Sequence, residues 1–206
     1  MVTRKVLFFF LTICSVSGFA QTDHEKQGMQ ALMKGDFRSA VSVLEKADLN
    51  TPNNINVVKM LSYAYYQTGE NKKSVTSYSK LLSLKSDDAS AYYYRGKARL
   101  NIANDPKEAQ STLREEFYLA AIKDFTKAIE LNSDNEIQYY QNRGIAYKDY
   151  GVFKSYSIKK PTDKVAVVNI FNNSIKDFQK ILVAQPLRKD IIDLEKYVKA
   201  QITSLK

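Results

Sequence analysis

Few residues in this chain could carry out covalent or metal chemistry. Among its 206 residues there is one cysteine, Cys14, one histidine, His24, and no tryptophan. Thiol catalysis and Cys/His metal sites both need cysteine or several such ligands, so the composition excludes them once the N-terminal segment holding Cys14 is removed. A Ser–His–acid site would have to use His24, close to the expected start of the mature chain, where order is usually low.

Two pairs of neighbouring carboxylates are the other candidates for acid–base chemistry. Glu115 and Glu116 are adjacent, as are Asp87 and Asp88. Adjacent residues of a helix point to different faces, so neither pair could flank one substrate bond. Asp87 and Asp88 are also typical of a helix start. We therefore expect a protein that is not an enzyme, with no catalytic residue, no metal and no cofactor.

The N-terminus has the features of a secretory signal peptide. Two basic residues precede an apolar run over residues 6–16, and the small residues Gly18 and Ala20 follow it. This order predicts a signal peptide over residues 1–20 that is cleaved before Gln21. The apolar run is too short to span a bilayer comfortably, and no comparable run follows it. An uncleaved anchor or a buried N-terminal helix is the alternative.

Cys14 also raises the question of a lipid anchor. The residue before it is the bulky Ile13, whereas a lipoprotein signal resembles a lipobox only with a small residue there. We therefore expect an exported protein of the periplasm or cell envelope, without disulfides and without a lipid anchor, and lipidation at Cys14 is the minor alternative.

The chain is basic, with a net charge of +9, and most of the excess lies in its last third. Such a patch could attract an acidic partner, an anionic polysaccharide or a membrane surface, although a solvated face that keeps the protein soluble is the more ordinary interpretation. Nucleic acid is not expected as a partner, because the interleaving of aromatic and basic residues typical of RNA binding is absent. The candidate basic patch consists of Lys154, Lys159, Lys160 and Lys164.

A pattern of small and apolar residues repeats along the chain. It combines a small residue for a close approach of two helices, a glycine turn and an apolar face on a second helix. The first copy reads Gly28, Gly35, Asp36, Phe37, Ala40, Leu44, Ala47 and Pro52. The second, 34 residues later, reads Ser62, Tyr65, Gly69, Glu70, Ser74, Tyr78 and Leu81. The third opens with Tyr92, Arg95 and Gly96, and the fourth with Tyr140, Arg143 and Gly144.

This period and these landmarks resemble the tetratricopeptide repeat family over about residues 21–188. The chain departs from the family pattern at Arg95 and Arg143, where a leucine-like residue is expected, and at Ser86, where a proline is expected. The resemblance implies an all-α solenoid of antiparallel helix pairs, whereas a non-repetitive helical bundle is the alternative. The four units implied are residues 21–54, 55–88, 89–136 and 137–188.

The third and fourth units are longer than the repeat period. Pro106 and Pro161 both sit at signals for a helix start, so we expect the second helix of each unit to be extended at its N-terminus. The apolar stripe of the third unit then includes Leu113, and that of the fourth begins at Val165. Both extensions should project from the same edge of the array.

One more amphipathic helix is predicted over residues 189–206. A solenoid needs such a helix to cover the apolar face of its last repeat, and a role in dimerisation is the alternative. Its apolar stripe consists of Ile191, Leu194, Val198, Ile202 and Leu205.

The resemblance also implies a binding surface. In this family the first helices of successive units line a concave groove that binds extended or helical peptides. A register error of one residue would exchange groove and core positions. The family's groove positions fall at Lys59, Tyr63 and Tyr66, at Tyr93, Tyr94 and Lys97, and at Gln138, Gln141 and Asn142.

The predicted function is therefore a non-catalytic protein–protein interaction module that binds a peptide or protein segment in this groove. Tyrosine offers a rigid apolar ring with a polar tip, which suits such recognition. The alternative is a structural scaffold or oligomerising subunit of an envelope complex, which would dock through the helical extensions.

Overall fold

The computed structural model describes residues 23–108, 113–132 and 136–205, and the predicted signal peptide lies outside them. Within these ranges the regular structure is helical throughout. The α-helices are α1 (Asp23–Met33), α2 (Phe37–Asn50), α3 (Ile55–Gln67), α4 (Asn71–Leu84), α5 (Ala89–Asn104), α6 (Arg114–Leu131), α7 (Ile137–Ser155), α8 (Pro161–Ala184) and α9 (Lys189–Ser204), and a short 3-10 helix spans Pro106–Glu108.

The helices form a succession of pairs, α1–α2, α3–α4, α5–α6 and α7–α8, with α9 packed on α8. Each helix packs mainly on its neighbours in sequence, and the first helices of adjacent pairs also touch one another. Packing confined to neighbouring units defines an α-solenoid. The fold is the predicted all-α array, and each predicted unit contains one helix pair.

Small residues allow the two helices of a pair to approach closely. A Cβ atom added to Gly28 would lie 2.4 Å from Leu44 Cδ2, well inside van der Waals contact. In the fourth unit, a Cβ atom added to Gly144 would lie 2.7 Å from Phe178 Cε1. The large residue facing the small one is buried in every unit, and these residues are Leu44, Tyr78, Phe125 and Phe178. The repeated pattern therefore marks the packing centre of each pair.

The arginines that depart from the repeat pattern form buried ion pairs between helices. Arg143 Nε and Nη2 donate to the two carboxylate oxygens of Asp177 on α8, at 2.8 and 2.7 Å. The third nitrogen, Nη1, donates to Thr126 Oγ1 on the preceding α6, at 3.1 Å. Arg95 binds Asp124 and Ser79 in the same way in the third unit. Each arginine thus joins its own helix pair to the one before it.

The insertion in the third unit is placed differently from the prediction. Asp105 Oδ1 accepts the backbone N–H of Lys107 at 2.9 Å, and this cap starts only the short 3-10 helix. The prediction that α6 starts near Pro106 is therefore wrong, since α6 begins at Arg114. Both second helices are nevertheless extended: α6 has 18 residues and α8 has 24, against 14 in α4. The first helices lengthen as well, to 16 residues in α5 and 19 in α7.

The apolar stripe of α8 also differs from the predicted one. Val165 is 60% exposed, whereas Val167 is buried against the core. Counting back one helical turn of four residues from the buried Phe171 leads to Val167, so the predicted register was wrong at the start of α8. Leu113 is likewise exposed, because it precedes the first residue of α6.

The extended start of α6 and the extended ends of α5 and α7 contact one another at one edge of the array. Tyr150 Oη on α7 donates to Glu115 Oε1 on α6 at 2.7 Å, and Lys154 Nζ lies 3.0 Å from the same carboxylate. Asn104 Nδ2 at the end of α5 donates to Asp149 at 2.9 Å. The extra turns therefore stabilise the contact between the third and fourth units.

Helix α9 covers the apolar face of the last pair. Ile191 and Val198 are fully buried against residues of α8 such as Phe178 and Ile181. This is the arrangement expected of a capping helix. In the part of the chain that the structure describes, no helix is both long and apolar enough to cross a membrane.

Candidate peptide-binding groove

The first helices α3 and α5 bring four of the predicted tyrosines together. Tyr94 lies at the centre of this tyrosine cluster, which consists of Tyr63, Tyr66, Tyr93 and Tyr94. The ring centroids of its three neighbours lie 5.2 Å (Tyr63), 5.4 Å (Tyr66) and 5.1 Å (Tyr93) away, in edge-to-face geometry. Such pairs stabilise one another beyond their buried area, so the cluster forms a rigid aromatic surface.

Lys97 lies over this cluster. Its ammonium nitrogen is 5.1 Å from the ring centroid of Tyr66, 5.3 Å from that of Tyr93 and 5.7 Å from that of Tyr94. These are cation–π distances. No acidic side chain among the described residues pairs with Lys97, so the rings hold a positive charge that is not neutralised by a carboxylate. The site can therefore offer a partner both aromatic area and a cation.

Tyr93 is buried, whereas the alignment with the family placed it on the surface of the groove. Its side chain is only 6% exposed, and it packs against Phe125 and against Tyr139, whose ring centroid is 4.8 Å away. The phenolic oxygen accepts a hydrogen bond from Asn142 Nδ2 at 3.1 Å. Tyr93 supports the groove from beneath and offers little surface to a ligand, because α5 turns that position toward α6 and α7.

The residues of α7 that were predicted to face the groove form hydrogen bonds within the protein. Asn142 Nδ2 donates to Tyr93 and to the carbonyl oxygen of Gln138. Gln141 Oε1 accepts a hydrogen bond of 3.1 Å from Arg188, just before α9. Gln138 remains exposed, and its amide donates to Glu136 at 3.4 Å. Of the three, Gln138 is the one whose side chain faces solvent.

Lys59 joins the second and third units at the other side of the tyrosine cluster. Its ammonium lies 2.7 Å from Asp88, whose side chain also accepts the backbone N–H of Ala91 and caps α5. Burial opposes ionisation of Asp88, but the hydrogen bonds from Lys59, Ser90 and Ala91 prevail and lower its pKa. Lys59 therefore stabilises the contact between the second and third units through its ion pair with Asp88.

Three aromatic residues that pack against the tyrosine cluster were missed by the alignment with the family. Phe37 meets Tyr63 edge-to-face at 6.1 Å, and Tyr78 stacks on Tyr94 with an angle of 8° between the rings. The third is Tyr139, beneath Tyr93. The repeat pattern places Phe37 and Tyr78 on the core-facing side of the second helices. The spacing of the pattern does not show that their rings contact tyrosines of the first helices α3 and α5.

Three tyrosines at the groove, Tyr93, Tyr94 and Tyr139, remain neutral at physiological pH. Burial is the largest cause that raises the pKa of Tyr93, Tyr94 and Tyr139 above the ordinary value of a phenol. Of the three, Tyr94 is partly exposed, so its hydroxyl group can donate a hydrogen bond to a ligand. Across the ranges that the structure covers, no group of three metal-ligating side chains is close enough to hold an ion.

The predicted basic patch is not one uniform surface. Lys154 pairs with Glu115, as described above. Lys159 and Lys160 are exposed, but their backbone N–H groups donate to Asp163 Oδ2, which places a negative charge among them. Lys164 is half-buried and has an interaction of its own.

Comparison with known proteins agrees with this helical architecture. A family model described as TPR repeat matches residues 63–102, which run from the second half of α3 through α4 and most of α5 and contain the tyrosine cluster. The chain contains a tetratricopeptide repeat (TPR) over these residues. The solved structures similar to this chain include a crystal structure of MamA, with 22% identity, a TM-score of 0.55, and coverage of 85% of this chain and 87% of that chain.

A thermophilic TPR protein of Thermus thermophilus, TTC0263, is also similar. It has 14% identity and a TM-score of 0.51, with coverage of 88% of this chain and 100% of that chain. At these identities the likeness shows the fold alone. No curated protein sequence matches the chain significantly. The TPR fold is in general that of a protein–protein interaction module.

Proposed function

We propose that this protein is a non-catalytic module that binds an extended or helical segment of a partner protein in the groove of α3, α5 and α7. The observation that carries the proposal is the tyrosine cluster with the Lys97 ammonium over it. Clustered tyrosine side chains are typical of the few residues that dominate binding energy at protein interfaces.

The geometry indicates how such a segment would be held. Tyr63, Tyr66 and Tyr94 are partly exposed, so their rings can be covered by apolar side chains of the ligand. The Lys97 ammonium and the hydroxyl groups of these tyrosines can donate hydrogen bonds to backbone carbonyl groups of the ligand. Because the rings already hold one another in place, little side-chain entropy is lost on binding.

Site-specific photo-crosslinking tests this proposal. A photo-reactive amino acid at Tyr66 should capture one recurrent protein from native envelopes, whereas the same group at the exposed Lys46 on α2 should not. With that protein purified, Tyr66→Ala/Lys97→Ala should weaken binding by about tenfold or more. Tyr156→Ala is the matched control, since Tyr156 is 86% exposed and lies outside the groove. Equal affinity for both variants would refute the groove assignment.

We also propose that the protein is exported to the cell envelope, on the basis of the N-terminal sequence features alone. N-terminal sequencing of the protein isolated from its cells should begin at Gln21. A mature protein that begins at Met1 would contradict cleavage, and one that begins with a lipid-modified Cys14 would contradict the absence of an anchor.

A scaffold that docks through the extensions is a second candidate function. The observation in its favour is that Tyr156 and Val165, at the extended edge, are 86% and 60% exposed. Exposed apolar side chains at one edge are typical of a contact surface. The mass of the assembly in solution should fall in the variant Tyr156→Ser/Val165→Ser if this candidate is correct, and an unchanged mass would refute it.

A further inference from the structure

A cleft of about 600 Å³ lies between α5 and α6, away from the tyrosine groove. Its lining includes Arg95 and Arg99 on α5 and Lys123, Asp124 and Lys127 on α6. Residues on a helix are rotated by about 100° each, so Arg95 and Arg99 both lie roughly 160° around α5 from Lys97. The cleft therefore opens on the side of α5 opposite the groove.

Two guanidinium groups in this cleft share one buried carboxylate. Asp124, whose side chain is 2% exposed, accepts both Nε and Nη2 of Arg95, at 3.0 and 2.7 Å. Arg99 Nη1 reaches the same carboxylate at 2.5 Å. In the fourth unit Arg143 is the one arginine among the described residues that binds Asp177. Tyr147 occupies the position equivalent to Arg99. The third unit thus holds one more positive charge than its buried acid can neutralise.

Arg99 also has an unused hydrogen-bonding edge. Its Nη1 donates to Asp124 and, at 3.4 Å, to the carbonyl oxygen of Ala120, but its Nε and Nη2 have no partner among the described residues. No side-chain nitrogen or oxygen buried in those ranges lacks a partner, so these two atoms must be open to solvent. Arg95 and Arg143 both use this same edge to hold a carboxylate.

The surroundings favour an anion at that edge. Burial, and the neighbouring Arg95, lower the pKa of Arg99, although Asp124 acts in the opposite direction. A partly buried cation beside another cation is stabilised by an added negative charge. At the edge of the cleft Lys123 has no acidic partner within the described ranges, and Lys127 pairs only with the exposed Glu130, at 3.2 Å.

We propose that this cleft is a second binding site, which takes an acidic side chain of a partner protein on the Nε and Nη2 edge of Arg99. The planar edge of a guanidinium matches the two oxygens of a carboxylate. The cleft is much larger than a single ion, and two lysines flank its opening, so it suits an acidic segment of a protein better than a free anion. Lys123 and Lys127 would attract the neighbouring acidic residues of that segment.

The test uses a fluorescein-labelled tetraglutamate peptide and fluorescence anisotropy on the full mature chain. Arg99→Gln should weaken binding by about tenfold, because it removes a charged, two-point hydrogen bond. Arg99→Lys keeps the charge but not the edge, and should lose most of the same affinity. The matched control is Arg38→Gln, which removes the same charge from an exposed position on α2 and should leave the affinity nearly unchanged.

Arg99→Gln should still fold, since Asp124 keeps both hydrogen bonds from Arg95. If its circular dichroism melt shows otherwise, Lys123→Gln/Lys127→Gln provides the second variant, and it should weaken binding and reduce its dependence on salt. Equal losses for Arg99→Gln and Arg38→Gln would overturn the site. Binding of inorganic phosphate, measured by calorimetry, without any binding of the peptide would overturn the acidic segment as its ligand.

Discussion

Removal of Arg143 should show how strongly the buried ion pairs hold the array together. In Arg143→Ala the carboxylate of Asp177, 6% exposed, loses two hydrogen bonds and its one positively charged partner among the described residues. Breaking a buried pair in this way typically costs about 3–5 kcal/mol, because an uncompensated charge remains. Arg95→Ala should cost roughly half as much, since Arg99 still neutralises Asp124. Both variants thus remove one arginine from a buried ion pair. A second arginine remains beside the carboxylate only in Arg95→Ala.

The pH dependence of Arg143→Ala gives a second check on the same reasoning. Burial is the largest cause that raises the pKa of Asp177, and Arg143 opposes it. Without Arg143 the folded-state pKa should rise further, so the variant is most stable where this carboxyl is protonated and loses stability as the pH rises through that pKa. Its deficit relative to the wild type should therefore shrink in acid.

Thermal melting followed by circular dichroism is the assay for these variants. For a domain of this size about 4 kcal/mol corresponds to roughly 10 °C in Tm. Repeat arrays do not always unfold in one step, so hydrogen exchange should also show the loss of protection concentrated in α7 and α8. Arg143→Met/Asp177→Leu should recover most of the loss. Equal destabilisation by Arg143→Ala and Arg95→Ala would refute the argument.

Three further predictions concern other contacts. Gly144→Ala should destabilise the fold by about 1–3 kcal/mol in urea titrations, because its Cβ would lie 2.7 Å from Phe178 Cε1, and a gain in stability would contradict the close approach. Asp88→Asn should be less stable than the wild type at neutral pH. Since the folded pKa of Asp88 is lowered, the difference should begin to shrink below pH 3.8 and be lost as the pH falls through the folded pKa, and a constant difference would contradict the pairing with Lys59. Glu115→Gln should speed hydrogen exchange at the start of α6 more than anywhere in α1 to α4, whereas uniform exchange would show that the extensions do not hold each other.

The architecture was predictable because the repeat pattern records a local packing rule. Gly28 and Leu44 meet across one helix pair, and the same small-to-large contact returns at Gly144 and Phe178. Such contacts depend only on spacing within a unit, which a sequence shows directly. Pro161 likewise fixes the start of α8 by its own backbone geometry.

The candidate site was less predictable because it depends on how units sit against each other. Tyr93 and Tyr94 differ by one position, yet the first is buried and the second is partly exposed, since one residue turns a helix by about 100°. Gln141 was assigned to the groove, but Arg188 reaches it from the segment before α9. The open edge of Arg99 follows from a shared carboxylate, which no sequence spacing shows.

The most direct test of the central claim is lysine crosslinking of the purified protein to the partner captured through Tyr66, with mass spectrometry of the linked peptides. If the groove binds this partner, crosslinks should concentrate at Lys97 and Lys59. The crosslinks at Lys59, which keeps its amine in both variants, should vanish in Tyr66→Ala/Lys97→Ala and persist in Tyr156→Ala. Crosslinks found only at Lys159, Lys160 or Lys199 would contradict the groove and assign the binding to the extensions and the C-terminal helix.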